Sequence, residues 1–269
     1  MTRAAAQSAP VNAPPAGGAL VVDRISRSFG GLTALKDFSF EVRPGELVGL
    51  IGPNGAGKTT AFNVVTGVYA PTAGAIHLAG KRIDALPPAA VCRAGIGRTF
   101  QNIRLFTELS VLDNVAVALK SPPRLGLMRT IFQTPGFLAS EARSRDEGMT
   151  LLAALELQDK ADLIAGSLPY GDQRRLEIAR ALATHPKILL LDEPAAGMNP
   201  QEKVELTSLI ALLRDRFKVG VWLIEHDMKL VMSICQRITV LDHGETIAVG
   251  TPAQIQCDSK VIGAYLGTQ

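Results

Sequence analysis

Cysteine, tryptophan and long uncharged runs are all scarce in this chain of 269 residues, and each scarcity removes a class of protein. The three cysteines, Cys92, Cys235 and Cys257, are odd in number and far apart. That pattern argues against a disulfide framework and for reduced thiols in a cytoplasmic protein. Metal-ligand spacing of Cys and His is absent. Apolar stretches are broken by glycine and proline before they reach the roughly 20 residues a membrane helix needs, so any membrane role is peripheral. Charge is nearly balanced: 28 Lys and Arg against 25 Asp and Glu leave +3, too little to argue for a nucleic-acid partner. The single Trp222 lies in an apolar run, where strand packing is favoured over ligand contact. With 47% hydrophobic and 20% charged residues, the chain can bury a full α/β core as one domain with an inserted lobe.

What the chain does carry is an apolar segment, Leu47-Val48-Gly49-Leu50-Ile51, running straight into Gly52-Pro53-Asn54-Gly55-Ala56-Gly57-Lys58-Thr59-Thr60. This is a complete phosphate-binding P-loop. Phosphate oxygens need many donors at close range, so the glycines let backbone N–H groups turn inward while the following helix offers its positive N-terminus. Lys58 is placed to hold the β- and γ-phosphates, Thr59 to put its hydroxyl on Mg²⁺, and Thr60 to lie near the α-phosphate. A Gly-rich turn beside a chance lysine is the competing reading. The preceding strand and the Lys-Thr pair both supply the context that the motif demands.

A P-loop alone says nucleoside triphosphate and no more. Lys187-Ile188-Leu189-Leu190-Leu191-Asp192-Glu193 reads as a buried parallel strand, too apolar to alternate, ending in two carboxylates at the edge where ligands bind. Asp192 can hold Mg²⁺ through water, and Glu193 points where an attacking water would lie. A later strand, Val219 to Ile224, ends in Glu225-His226. His226 is either a structural histidine or a γ-phosphate sensor, and the two nucleotide motifs favour the sensor.

At this point the residues resemble a known family. Gly52 to Thr60, Gln101, Leu168-Pro169-Tyr170-Gly171-Asp172-Gln173, Leu191-Asp192-Glu193-Pro194 and His226 occur in the order and spacing of an ABC transporter ATPase subunit. Gly97 to Phe106, Tyr170 to Arg180 and the tail from Gly250 to Gly267 are similar to the LivG-type ATPases of branched-chain amino acid importers. The resemblance covers nearly everything from Leu20 onward. It implies a P-loop α/β core over residues 19–250, with an antiparallel β subdomain, an inserted helical subdomain at about 102–168 and a C-terminal helical extension at 251–269. It also implies ATP and Mg²⁺ as cofactors and catalytic roles for Glu193, His226 and Gln101, with Gln101 reaching Mg²⁺ or the attacking water. Expected partners are a second, different ATPase subunit, two membrane permeases and, indirectly, a substrate-binding protein outside the cytoplasm. The expected location is the cytoplasmic face of the plasma membrane. The same motor moving urea, another amide or lipopolysaccharide is a close rival, and a soluble ABC protein that remodels a macromolecule is a more distant one. One cassette without a large coiled insertion argues against the latter.

Along the chain, Met1 to Gly18 is rich in alanine and proline and is expected to be a disordered tail; polar residues interrupt any signal-peptide core. Leu20 to Val42 shows short β-type runs with a turn at Gly30-Gly31, and Pro44-Gly45 introduces the P-loop strand. Phe29 falls where the family stacks an aromatic ring on adenine, or else packs inside a small sheet. Residues from about Arg104 to Ser167 turn helical, with interruptions at Ser121-Pro122-Pro123 and Thr134-Pro135-Gly136. The segment from Asn102 to Leu112 resembles the surface that receives a coupling helix, with Phe106 and Leu109 either exposed anchors or core.

The signature segment departs from the family's commonest pattern, Leu-Ser-Gly-Gly-Gln. Pro169 removes a hydroxyl and a backbone N–H, Tyr170 replaces a glycine, and Asp172 adds a negative charge that favours the helix start but not a nearby phosphate. Gly171 keeps its N–H for the γ-phosphate of the opposite subunit. A weakened composite site on this loop is the expectation, and with it functional asymmetry. In the D-loop, Pro194 to Asn199, Asn199 stands where aspartate is usual.

Overall fold

The structure is a computed structural model that describes residues 19–119 and 135–266. The expected tail and the Ser121-Pro122-Pro123 break lie outside the described residues. Strands β1 (Leu20–Phe29) and β2 (Leu32–Val42) form an antiparallel hairpin across the Gly30-Gly31 turn, where Gly30 takes a φ of 57°. They are longer than the short runs expected. Register shifts between Val22 and Ile25, Ile25 and Arg27, and Arg27 and Ser28 bend one continuous hairpin without ending it. With β4 (Ala73–Leu78) and β5 (Lys81–Arg82) they make a four-stranded sheet in the order β2-β1-β4-β5.

The second sheet has six strands in the order β10-β9-β3-β8-β7-β6. Its members are β3 (Leu47–Ile51), β6 (Ile96–Arg98), β7 (Ile188–Asp192), β8 (Gly220–Ile224), β9 (Arg237–Asp242) and β10 (Glu245–Gly250). All pairings are parallel except that of the edge strand β10 with β9. The apolar runs of β3, β7 and β8 are buried on both faces, as parallel strands must be. Leu47, Ile51, Leu189, Leu191, Val221 and Leu223 enter one core, which continues into the helical lobe. The alternate residues Val48, Leu50, Ile188, Leu190, Trp222 and Ile224 enter the other, beneath the antiparallel sheet.

Helix α1 (Lys58–Val65) follows the P-loop, and α2 (Pro88–Ala94) precedes β6. Between β6 and β7 the described chain forms α3 (Val111–Leu119), α4 (Pro135–Ala154) and α5 (Tyr170–Leu182), the last beginning after residue 168. The expected break at Thr134-Pro135-Gly136 falls at the edge of the described residues, and α4 is described from Pro135 onward. After β7, α6 (Pro200–Phe217) starts with a reciprocal capping box: the Glu202 N–H donates to Asn199 Oδ1 at 3.0 Å and the Asn199 N–H to Glu202 Oε2 at 2.9 Å. Asn199, unusual as a D-loop residue, is therefore a helix cap. Helices α7 (Met228–Ile234), α8 (Pro252–Gln256) and α9 (Ser259–Leu266) complete the described chain. Among the described residues no helix is long and apolar enough to cross a membrane.

Trp222 is fully buried and joins the two sheets. Its ring stacks on Phe40 at 4.3 Å and meets Phe62 of α1 edge-on at 4.6 Å. The indole N–H has no hydrogen-bond partner among the described residues, so the side chain acts through volume. Trp222→Ala is expected to cost about 3–5 kcal/mol in denaturant titration, as large truncations in cores do. Trp222→Phe is expected to cost far less, since no hydrogen bond is lost; equal losses in both variants would contradict this reading.

Candidate functional site

Parallel register brings three strand ends to one edge. Leu50 of β3 lies beside Ile224 of β8, and Ile224 beside Asp192 of β7. The P-loop, the Asp192-Glu193 pair and the Glu225-His226 pair therefore emerge side by side. Gly52 has a φ of 151° and a Cβ there would lie 2.1 Å from the Leu241 carbonyl oxygen, so only glycine lets the loop leave the sheet here. Gly57 caps α1 at φ 102° without any side-chain cap. The first-turn amides of α1, beginning with Lys58 and Thr59, have no carbonyl partner within the helix, an arrangement that can receive an anion. Lys58 folds back over the loop, its Nζ donating to the carbonyls of Gly52 at 2.7 Å and Pro53 at 2.9 Å. Burial pushes its pKa down, against the pull of Glu193 and Asp192.

Glu193 sits at φ 47°, a left-handed conformation uncommon for a side chain with a Cβ and concentrated at functional sites. Its N–H is held by the Ile224 carbonyl at 2.9 Å. Gln101 Nε2 donates to Glu193 Oε2 at 3.0 Å, and His226 Nδ1 stands 3.8 Å from the same oxygen. Three residues expected to be catalytic are thus in one cluster. Asp192 is buried, which pushes its carboxyl pKa up, and Arg98 opposes that shift through a 2.9 Å ion pair.

Other expected residues stand apart from this cluster. Phe29 is exposed at the end of β1, capped by the Arg27 guanidinium at 4.6 Å and by the Tyr69 edge at 5.1 Å; it is not packed inside the small sheet. Gly171 lies on the first turn of α5, in a pocket of about 100 Å³ that Pro169, Met198 and Glu202 also line. Tyr170 lies over Gly197, at van der Waals distance from where a Cβ would stand, and it is the φ of 76° rather than the ring that calls for glycine there. Asp172 does not present a bare charge, because Lys160 Nζ pairs with it. Phe106 and Leu109 are exposed, at 46% and 36%, rather than core.

Sequence reasoning missed four side chains that hold the site: Arg98, Arg174, Glu177 and Glu225. Arg174, fully buried on α5, donates to the carbonyls of Phe100 at 2.7 Å and Gln101 at 2.8 Å and to Glu177 Oε2 at 2.7 Å. Glu177 Oε1 accepts the Phe100 N–H at 3.1 Å. The signature helix therefore grips the backbone that carries Gln101. Glu225 accepts the Ala195 N–H at 2.8 Å and the His226 N–H at 3.2 Å, tying the D-loop to the histidine; burial pushes its pKa up. The available signal was polarity in apolar company, a charged pair at i and i+3 on α5 beside Leu176 and Ala179, and a carboxylate straight after β8.

Comparison with known proteins agrees with this geometry. The family described as ABC transporter matches residues 35–196, and the chain belongs to that family. A second match, described as branched-chain amino acid ATP-binding cassette transporter, covers residues 245–269. The chain is 48% identical, over 92% of its length and 97% of theirs, to the high-affinity branched-chain amino acid transport ATP-binding proteins LivG of Salmonella typhimurium (strain LT2) and BraF of Pseudomonas aeruginosa (strain PAO1). It is also similar, at 29% identity and a TM-score of 0.80, to the crystal structure of the ADP conformation of MJ1267, an ATP-binding cassette of an ABC transporter; 94% of this chain and all of that one are covered.

The buried Arg174–Glu177 pair makes a direct prediction. Arg174→Met leaves Glu177 buried without its partner, and unfolding measurements are expected to show a loss of about 3–5 kcal/mol. Pairing it with Glu177→Leu removes the stranded charge and is expected to recover part of that loss. A double variant no more stable than the single one would show that the backbone contacts, not the ion pair, dominate.

Proposed function

We propose that this chain is the ATP-hydrolysing subunit of an importer for branched-chain amino acids, working peripherally at the cytoplasmic face of the plasma membrane. The observation that carries the reading is the convergence of Lys58, Asp192, Glu193, Gln101 and His226 on one edge of a parallel sheet. The P-loop from Gly52 to Thr60 binds the phosphates of ATP, and Phe29 offers an exposed ring for adenine. Mg²⁺ fits the donor set, since hard oxygen donors from Thr59, Gln101 and Asp192 suit it; when bound it supplies charge neutralisation of the phosphates. Glu193 polarises the attacking water, and His226 reads the γ-phosphate. Gln101 is already hydrogen-bonded to Glu193, so movement of its loop alters the carboxylate's surroundings directly.

The partner chemistry follows from two surfaces. Between β6, α3 and α5 lies a groove of about 620 Å³ lined by Phe100, Leu105, Phe106, Ala118 and Arg180, suited to a helix from a permease. On α5 the phosphate-binding signature is incomplete at Pro169 and Tyr170. A different ATPase with a fuller signature is the fitting dimer partner, with two permeases and an external binding protein completing the system. Transport of another cargo by the same motor is the second reading. The lipopolysaccharide export ATP-binding protein LptB of Escherichia coli (strain K12) is 37% identical, against 48% for the amino acid relatives. The match of residues 245–269 also favours amino acids.

Three measurements check the proposal. Glu193→Gln is expected to bind ATP as the wild type does while turnover falls at least about a hundredfold, because only general-base help is removed; near-normal turnover would take Glu193 out of the catalytic role. Lys58→Ala is expected to weaken ATP binding itself. Changing Phe106 and Leu109 together to Ser is expected to leave ATP affinity and thermal stability close to wild type while co-purification with permeases is lost, since interface anchors cost roughly 2 kcal/mol or more when truncated. A large drop in thermal stability would assign these two side chains to folding instead.

A further inference from the structure

Arg98 ends β6 with its side chain 9% exposed, and it makes contacts that neither strand pairing nor core packing requires. Its Nη2 donates to Asp192 Oδ2 at 2.9 Å. Its Nη1 donates to Asn63 Oδ1 at 2.8 Å and Thr66 Oγ1 at 3.0 Å, both on α1. The guanidinium lies between the rings of Phe62, 5.5 Å away, and Phe100, 5.1 Å away. A buried ion pair gains little net stability over apolar residues of the same volume, so retention of a charge here calls for another reason. The two elements it joins supply one. Helix α1 carries Thr59 in its first turn and β7 ends at Asp192, so the guanidinium spans the two halves of the oxygen set assigned above to Mg²⁺.

We propose that Arg98 is a positioning residue for the metal site: it pins one oxygen of Asp192 and fixes that carboxylate in register with the P-loop helix, leaving the other oxygen to face the metal side. The inference rests on the magnesium reading of Asp192 and Thr59. Arginine is the suitable residue because its planar fork bonds two partners at once, whereas a lysine ammonium could hold Asp192 but not keep the same span to Asn63 and Thr66.

The experiment is calorimetric titration of the full chain with ADP, first in EDTA and then across a series of MgCl₂ concentrations. For Arg98→Lys the MgCl₂ concentration giving half the metal-dependent gain in ADP affinity is expected to rise about tenfold, while ADP affinity in EDTA stays within about twofold of wild type, as for partners that orient a metal ligand. A second variant, Asn63→Ala with Thr66→Val, cuts the tie to α1 and leaves Arg98 on Asp192. It is expected to shift the same midpoint in the same direction by less, and it decides the matter alone if Arg98→Lys does not fold. An unchanged midpoint in the folded variants overturns the proposal. So does a parallel fall of both affinities, which would mark a general structural role. A wild-type protein whose ADP affinity ignores MgCl₂ overturns the magnesium reading and this proposal together, whereas a responsive wild type with folded variants that respond at the same midpoint overturns this proposal alone.

Discussion

Hydrogen-bonded register among β3, β8 and β7 decides where every reactive group can be. Each of these strands is five residues long and buried on both faces, so a slip of one residue would turn one core's side chains into the other. The alternation of Leu47 and Ile51 against Val48 and Leu50, repeated in β7 and β8, forbids that slip. Once register is set, the turn after β3 must carry the P-loop, and the carboxylates after β7 must stand beside it. Chemistry at this edge is therefore a consequence of hydrophobic alternation one layer below.

Alternation places the strand ends but does not aim the side chains. That task falls to buried polar contacts, which act over short distances in a low-dielectric interior where each is strong and each is costly to leave incomplete. Arg174 and Glu177 hold the backbone of Phe100 and Gln101 from the signature helix. Glu225 holds Ala195 and His226. Gln101 and His226 then approach the same oxygen of Glu193 from two separately anchored segments. Any displacement of α5 against the sheet is felt at Glu193 through two hydrogen bonds and one backbone, with no long pathway required.

Much of this was legible in the sequence, and the division is physical. P-loop, carboxylate pair and histidine are local strings whose chemistry depends on spacing along the chain, so they could be read from Gly52 to Thr60 and at Asp192, Glu193 and His226. The role of Asn199 was legible but passed over: Asn199-Pro200-Gln201-Glu202 has the spacing of a capping box with proline at the first helical position, and the comparison with the usual D-loop aspartate drew the reading away from it. Arg174, Glu177 and Glu225 were missed for another reason: the backbone groups that they anchor, at Phe100, Gln101 and Ala195, are 30 or more residues away along the chain, and a charge within an apolar segment says that a partner exists without saying which. Phe29, Phe106 and Leu109 had two readings each because apolar residues carry no sequence mark of exposure.

The altered signature loop shows how such substitutions become tolerable. Tyr170 brings bulk where the commonest pattern has none, and the fold gives it a partner, Arg174 donating to the tyrosine hydroxyl at 3.1 Å. Asp172 adds a negative charge at the helix start, and Lys160, twelve residues upstream, pairs with it. The backbone N–H absent at Pro169 has no such counterpart on the residue itself, which caps α5 without a side-chain hydrogen bond. The loop is thus well built as structure, with one backbone donor fewer than the commonest pattern supplies at the helix start.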